Sequence, residues 1–145
     1  MIGITFASLL ALIIGLAAGL TIPSDNNAGS STGESPEQKE GQLTFYHPAM
    51  GACGHVHGDN DAVMAVSHGR FDEVNTPNPN NNPLCGRKIR AHRVDERTGK
   101  DASIVVTIVD KCAACAYDDI DVSPSAFDKL ADKAKGRVNV AWDWA

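Results

Sequence analysis

Acidic side chains gather around the end of one apolar run. Asp110 closes the segment SIVVTIVD, and Asp118, Asp119 and Asp121 follow after a short cysteine-bearing loop. A carboxylate ending a strand of a small barrel stands where a groove could use its charge. Asp118 and Asp119 also fit solvated turn positions, and Asp121 could simply support the start of a following helix. The four cysteines, Cys53, Cys85, Cys112 and Cys115, offer a second chemistry. In an exported chain, thiols oxidise and small cores use cross-links, so disulfides are the default. A zinc site is the rival, because Cys112-Ala-Ala-Cys115 has ligand-pair spacing and His55, His57 and His68 lie nearby in the sequence. Two isolated cysteines argue against it. A dithiol redox role for the same CxxC is weaker still, because Asp118, Asp119 and Asp121 stand where the redox helix would begin.

The elements that must hold these residues fit in one module. The chain has 145 residues, with 43% hydrophobic and 21% charged side chains, near the globular average. A formal charge of -5 leaves no electrostatic footprint for a polyanion, which argues against a nucleic-acid partner. Within residues 41–145 the pattern mostly alternates, as strands do. Leu43 and Phe45 alternate with Thr44 and Tyr46, so Thr44 and Tyr46 share one face. Strands are expected over 62–67 and 89–94, over 103–110, where β-branched residues dominate, and over 137–142. One amphipathic helix is expected from Ser123 as N-cap and Pro124 as first residue, with Phe127, Leu130 and Ala131 on one face. Residues 75–83, with three prolines, read as an irregular surface loop. Five or six short strands with one helix make a small barrel.

The first forty residues differ from the rest. Met1 to Leu20 carry no charged side chain and have Thr5 and Ser8 as their only polar members, which reads as a signal peptide over residues 1–19, with Ala17 and Gly19 at the cleavage site. An uncleaved anchor is the alternative, since the run nearly reaches the ~20 residues of a spanning helix. Residues 20–40 are rich in Ser, Gly, Asn, Pro, Glu and Gln and read as a disordered linker. A secreted, extracellular barrel over residues 41–145 is therefore expected, with no membrane contact after cleavage.

Five segments carry a resemblance: GQLTFYHPAMGACG at 41–54, CGRKI at 85–89, VTIVDKCAAC at 106–115, DIDVSPSAF at 119–127 and GRVNVAW at 136–142. Together they resemble, in the same order, the double-psi β-barrel of expansins, barwins and rare-lipoprotein-A-like proteins, and above all the short fungal expansin-like proteins called loosenins. The resemblance implies a mainly β fold, a six-stranded double-psi β-barrel with one short helix, stabilised by disulfides. It places Asp121 on the acid of the family's Asp-Leu-Ser motif, which is the general acid in hydrolytic members. Asp110 falls on the Asp that ends the preceding strand, and Thr44 and Tyr46 fall on groove-lining positions. It also implies the pairing Cys53 with Cys85, as in barwins, and Cys112 with Cys115. In the chain-entropy account the first bridge, which closes the longer loop, stabilises more than the second.

The departures decide the expected activity. Hydrolytic relatives carry a second Asp just after the first-strand Tyr, where this chain reads His47-Pro48. Inverting hydrolysis needs two carboxyl groups about 6.5 to 9.5 Å apart. With the base missing, the resemblance implies a protein that binds cell-wall polysaccharide, cellulose or chitin, and loosens it without cutting. Asp121 and Asp110 are then glycan-interacting, and Thr44, Tyr46, Tyr117 and Trp144 are substrate-binding candidates. Phe71 is a further candidate for stacking, Trp142 is read as core, and Trp144 stays open between core and sugar contact. No metal and no cofactor are expected, and the barrel is expected to act as a monomer. The alternatives are a protein-binding module, a protease inhibitor or effector using loop 75–83, and a weak glycoside hydrolase using Asp121.

Overall fold

The computed structural model describes residues 37–145. The expected signal peptide and nearly all of the expected linker lie outside the described residues. The chain runs β1 (Lys39–Phe45), β2 (Val63–Ser67), α1 (His68–Glu73), β3 (Lys88–Asp95), β4 (Lys100–Cys112), β5 (Ile120–Val122), α2 (Pro124–Asp128) and β6 (Arg137–Trp144). The six strands close into a barrel in the order β1-β5-β2-β4-β3-β6. Closure gives each strand a neighbour on both sides, which is how a small all-β domain limits unpaired backbone. Among the described residues, no helix is long and apolar enough to cross a membrane.

Alternation sets the inside and the outside. Leu43, Met64, Val66, Ile108, Ile120 and Val122 point inward and are almost wholly buried, and Phe127 and Trp142 join the same core. Trp142 donates its indole N–H to the Asp118 carbonyl at 2.8 Å, so the largest core side chain leaves no polar atom unpaired.

Several expectations need correction. Among the described residues two short α-helices are present, not one. Residues 68–73 form α1, whose N-cap Ser67 accepts from the Arg70 N–H and whose Phe71 plugs the core. The expected helix at 123–133 stops at Asp128 and continues as a turn and a 3-10 segment over Lys133–Lys135. Ser123 does stand at its N-cap, but its hydroxyl donates to the Asp61 carbonyl and makes no cap bond to the helix. Asp121, which could simply support the helix start, lies instead within a three-residue strand over Ile120–Val122. The barrel begins at Lys39, two residues before the expected boundary. Loop 75–83 is anchored: Asn82 is buried, donates to the Phe71 carbonyl at 2.9 Å and accepts from the Leu84 N–H at 2.9 Å.

Candidate functional site

Register puts the candidate residues in one row. Asp110 on β4 lies opposite Ala65 on β2, Ala65 opposite Asp121 on β5, Asp121 opposite Thr44 on β1, and Thr44 opposite Arg137 on β6. Their inward neighbours are core residues, so this row faces out. The register slip between Met64 and Ala65 makes the row possible, because it skips Val109 and sets Asp110 beside Ala65. Ala65 in the middle keeps the floor low between the two acids.

Each acid has a distinct setting. Thr44 donates its hydroxyl to Asp121 Oδ1 at 2.9 Å. Burial pushes the Asp121 carboxyl above the usual carboxylate range; the Thr44 hydrogen bond and the Arg137 charge oppose this, and the Asp110 charge adds to it. Asp110 Oδ1 accepts from two backbone N–H groups, those of Ala52 and Lys111, both at 2.8 Å. Asp110 is thus committed to holding the 49–57 segment against the end of β4.

Tyr46 feels the charge of both. Its ring packs on Ala65 and on the Cys112–Cys115 disulfide. Its hydroxyl oxygen is buried without a hydrogen-bond partner. Burial, with the Asp110 and Asp121 charges, pushes its ionisation far up, so it remains a proton donor in the field of both carboxylates. An unpaired buried hydroxyl costs free energy unless something pairs it.

The cysteines form the two expected bridges, Cys53–Cys85 and Cys112–Cys115. The Cys112 and Cys115 sulfurs and an Asp121 carboxylate oxygen lie within 4.8 Å of one another, a metal-like spacing. Bonded sulfurs are not thiolates, and the zinc and dithiol readings lose their ligands and nucleophile. His68 opens α1, exposed, and His55 and His57 lie near the Cys53–Cys85 bridge.

The structure gathers Thr44, Tyr46, Asp110 and Asp121, and sets the other two aromatic candidates elsewhere. Tyr117 donates its hydroxyl to Glu73 Oε2 at 2.6 Å and lies against the Arg70 guanidinium, 4.2 Å from the ring centre. Trp144 stands at the opposite end of β6 from Arg137, edge-to-face on Trp142 and 3.8 Å beneath the Arg87 guanidinium. Phe71 is fully buried under α1 and cannot stack on a sugar.

Arg137 and the partner of His47 are not singled out by the sequence pattern. Arg137 enters the row through its pairing with Thr44 and donates to Gln42 Oε1 at 3.1 Å; the parity of β6, with Val138 and Val140 inward, was the available signal. Just past β1, His47 Nδ1 meets both Asp59 oxygens at 3.0 Å, on the exposed surface. Nothing local announces that contact, because the partners are separated by a folded loop.

Residues 39–142 match the family described as lytic transglycolase, a rare-lipoprotein-A-like double-psi β-barrel. A papain inhibitor of Streptomyces mobaraensis is 33% identical over 90% of this chain and 86% of its own. A solved Streptomyces papain inhibitor is 32% identical, with a TM-score of 0.64 over 75% of this chain and 94% of that one. An expansin of Clavibacter michiganensis, solved in complex with cellohexaose, shares the fold, with a TM-score of 0.59 at 18% identity over 74% of this chain and 50% of that one. With its barrel closed in the same way and its sequence matched across almost the whole of it, the chain belongs to the family of double-psi β-barrels described as lytic transglycolase.

Proposed function

We propose that the barrel binds structural polysaccharide, cellulose or chitin, along the Asp110–Asp121–Thr44 row and loosens its chain packing without cutting it. The observation that carries this reading is the Tyr46 hydroxyl, buried and unpaired within the field of the Asp110 and Asp121 carboxylates and beside the outward row. A sugar laid along the row would meet the Thr44, Asp121 and Asp110 oxygens, and it would accept from the Tyr46 hydroxyl once the cover over that atom shifts. Each exchanged hydrogen bond contributes only ~1 kcal/mol, so loosening needs several together. Inverting hydrolysis needs a second carboxylate free to activate water. Asp110 already takes two backbone N–H groups, and Asp59 is engaged by His47. Two disulfides suit an oxidising, extracellular setting. The test is incubation with swollen cellulose and with chitin, following reducing ends and fibre mechanics together. Softening without new reducing ends is expected, and substantial new ends would make the protein a glycosidase or lytic enzyme.

A second reading is inhibition of a cysteine protease, favoured by the 33% identity to a papain inhibitor across most of both chains. Retention on insoluble glycan against inhibition of papain separates the two.

A further inference from the structure

The 47–58 segment leaves β1 and reaches β2 by a detour that the barrel itself does not require. Between His47 and Asp59 it holds no Asp, Glu, Lys or Arg, in a chain that is 21% charged. Met50 and Val56 face each other across an antiparallel bridge, and the Gly51 N–H donates to the His55 carbonyl, the His57 N–H to that of Ala49, both at 3.1 Å. The segment is therefore a small hairpin, and bridge partners project their side chains to the same side. Met50 is 64% exposed and Val56 69%, the two most exposed large apolar side chains among the described residues. Single exposed apolar residues are ordinary, but a paired couple on an uncharged tip marks a contact surface.

The hairpin is also held rigidly from below. Cys53 is bonded to Cys85 and donates its N–H to the Val109 carbonyl, and Ala52 donates to Asp110. Gly51 lies so close to β4 that a Cβ there would meet the Val109 carbonyl oxygen at 2.3 Å, and Gly54, at φ +90°, would meet the Asn80 side chain at 2.7 Å. Such a clamp fixes the tip before binding and lowers the ordering cost of association.

We infer that the Met50–Val56 hairpin is a preorganised wedge that enters the apolar substrate cleft of a papain-like cysteine protease. The inference rests on the second reading above. A protruding, uncharged tip fits a concave, apolar partner, whereas the acid row suits a polyhydroxyl chain; the shared anchor is Asp110, so the two surfaces adjoin without using the same atoms of the tip.

The experiment measures papain inhibition by the parent protein and by Met50→Asp, Val56→Asp and the milder Met50→Gln, with Val94→Asp, also at an exposed apolar position, as the remote control. Thermal melts and retention on cellulose are recorded for each. Both Asp variants should weaken inhibition about tenfold or more, Met50→Gln less, and Val94→Asp not at all, with melts and retention unchanged. Parent-like inhibition by the hairpin variants overturns the wedge and leaves the second reading standing. Loss of glycan retention with inhibition intact also overturns it, assigning the tip to sugar. A parent protein that does not inhibit papain overturns the second reading and the wedge with it.

Discussion

The Asp110 carboxylate holds the Ala52 N–H at 2.8 Å, which ties the end of the longest strand to a surface hairpin 58 residues earlier in the chain. One oxygen serves two backbone donors, those of Ala52 and Lys111. Asp110→Ala should therefore destabilise the barrel by about 1–3 kcal/mol, the cost of leaving such donors without their charged acceptor. Asp110→Asn keeps an acceptor oxygen and should lie close to the parent. Urea unfolding of the three proteins checks this, and equal midpoints for Ala and Asn would show that the anchor contributes nothing.

Asp121 should give the opposite result. Its carboxyl is raised above the usual range chiefly by burial, so the folded protein keeps this proton to a higher pH than the unfolded chain does. More protons on the folded state means that stability falls as pH rises from about 4 through the folded value, and then levels. Asp121→Asn cannot ionise, and its amide oxygen can still accept from Thr44. The variant should match the parent near pH 3 and exceed it at pH 7. Melting curves across that window decide the sign, and a variant less stable than the parent at pH 7 would mean that Arg137 and Thr44 outweigh burial.

Thr44 tunes the same group by a separate route. Its hydroxyl favours the ionised carboxylate. Thr44→Val should move the Asp121 pKa further up, and Thr44→Ser should restore it. Carboxyl carbon shifts followed by NMR against pH would report Asp121 directly, and an unchanged midpoint in the Val variant would rule out the hydrogen bond as a tuning contact.

What the sequence made legible follows from how local each signal is. β4 is a β-branched run and reads as a strand without help, and Thr44 and Tyr46 reveal their shared face through parity alone. Asp110 and Asp121 stand out as acids after the strongest strand, their roles follow from a motif resemblance, and the structure brings them to one row through a register slip that no local pattern encodes. β5 escaped because three residues cannot display a period, and its strand state comes from neighbours on both sides. α1 escaped for a similar reason: Phe71 is the one core residue in its short span. The hairpin's shape comes from Asp110, Val109 and Cys85, all distant in sequence, so no local pattern announces a clamped tip. Tyr117 and Trp144 are candidates for sugar contact by residue type alone, whereas their rings here lie against Arg70 and Arg87.

The two disulfides should separate by loop length. Cys53–Cys85 spans 32 residues and Cys112–Cys115 spans 3. In the chain-entropy account the longer loop contributes about 3–4 kcal/mol and the shorter about 1–2. Replacing Cys53 and Cys85 by Ser should lower the melting temperature more than the same change at Cys112 and Cys115. The shorter bridge carries another consequence, since Tyr46 rests on it. Its loss should weaken glycan retention out of proportion to its effect on stability, and retention that tracks stability in both double variants would count against a site built on that bridge.

Tyr46→Phe divides a structural role from a binding one. The hydroxyl is buried and unpaired in the free protein, so removing it deletes a desolvation cost and no hydrogen bond. A tyrosine kept only for packing would lose nothing: stability should hold or rise, and retention on cellulose or chitin should stay as in the parent. A hydroxyl kept to meet a sugar predicts a split result, with stability held or raised by up to about 1–3 kcal/mol and retention reduced. That combination is the signature of a group whose pairing is completed by the ligand, a local stability cost kept for function. Unfolding curves and a depletion assay on the same preparations measure both sides, and a Phe variant that binds as the parent does would remove the observation on which the glycan reading rests.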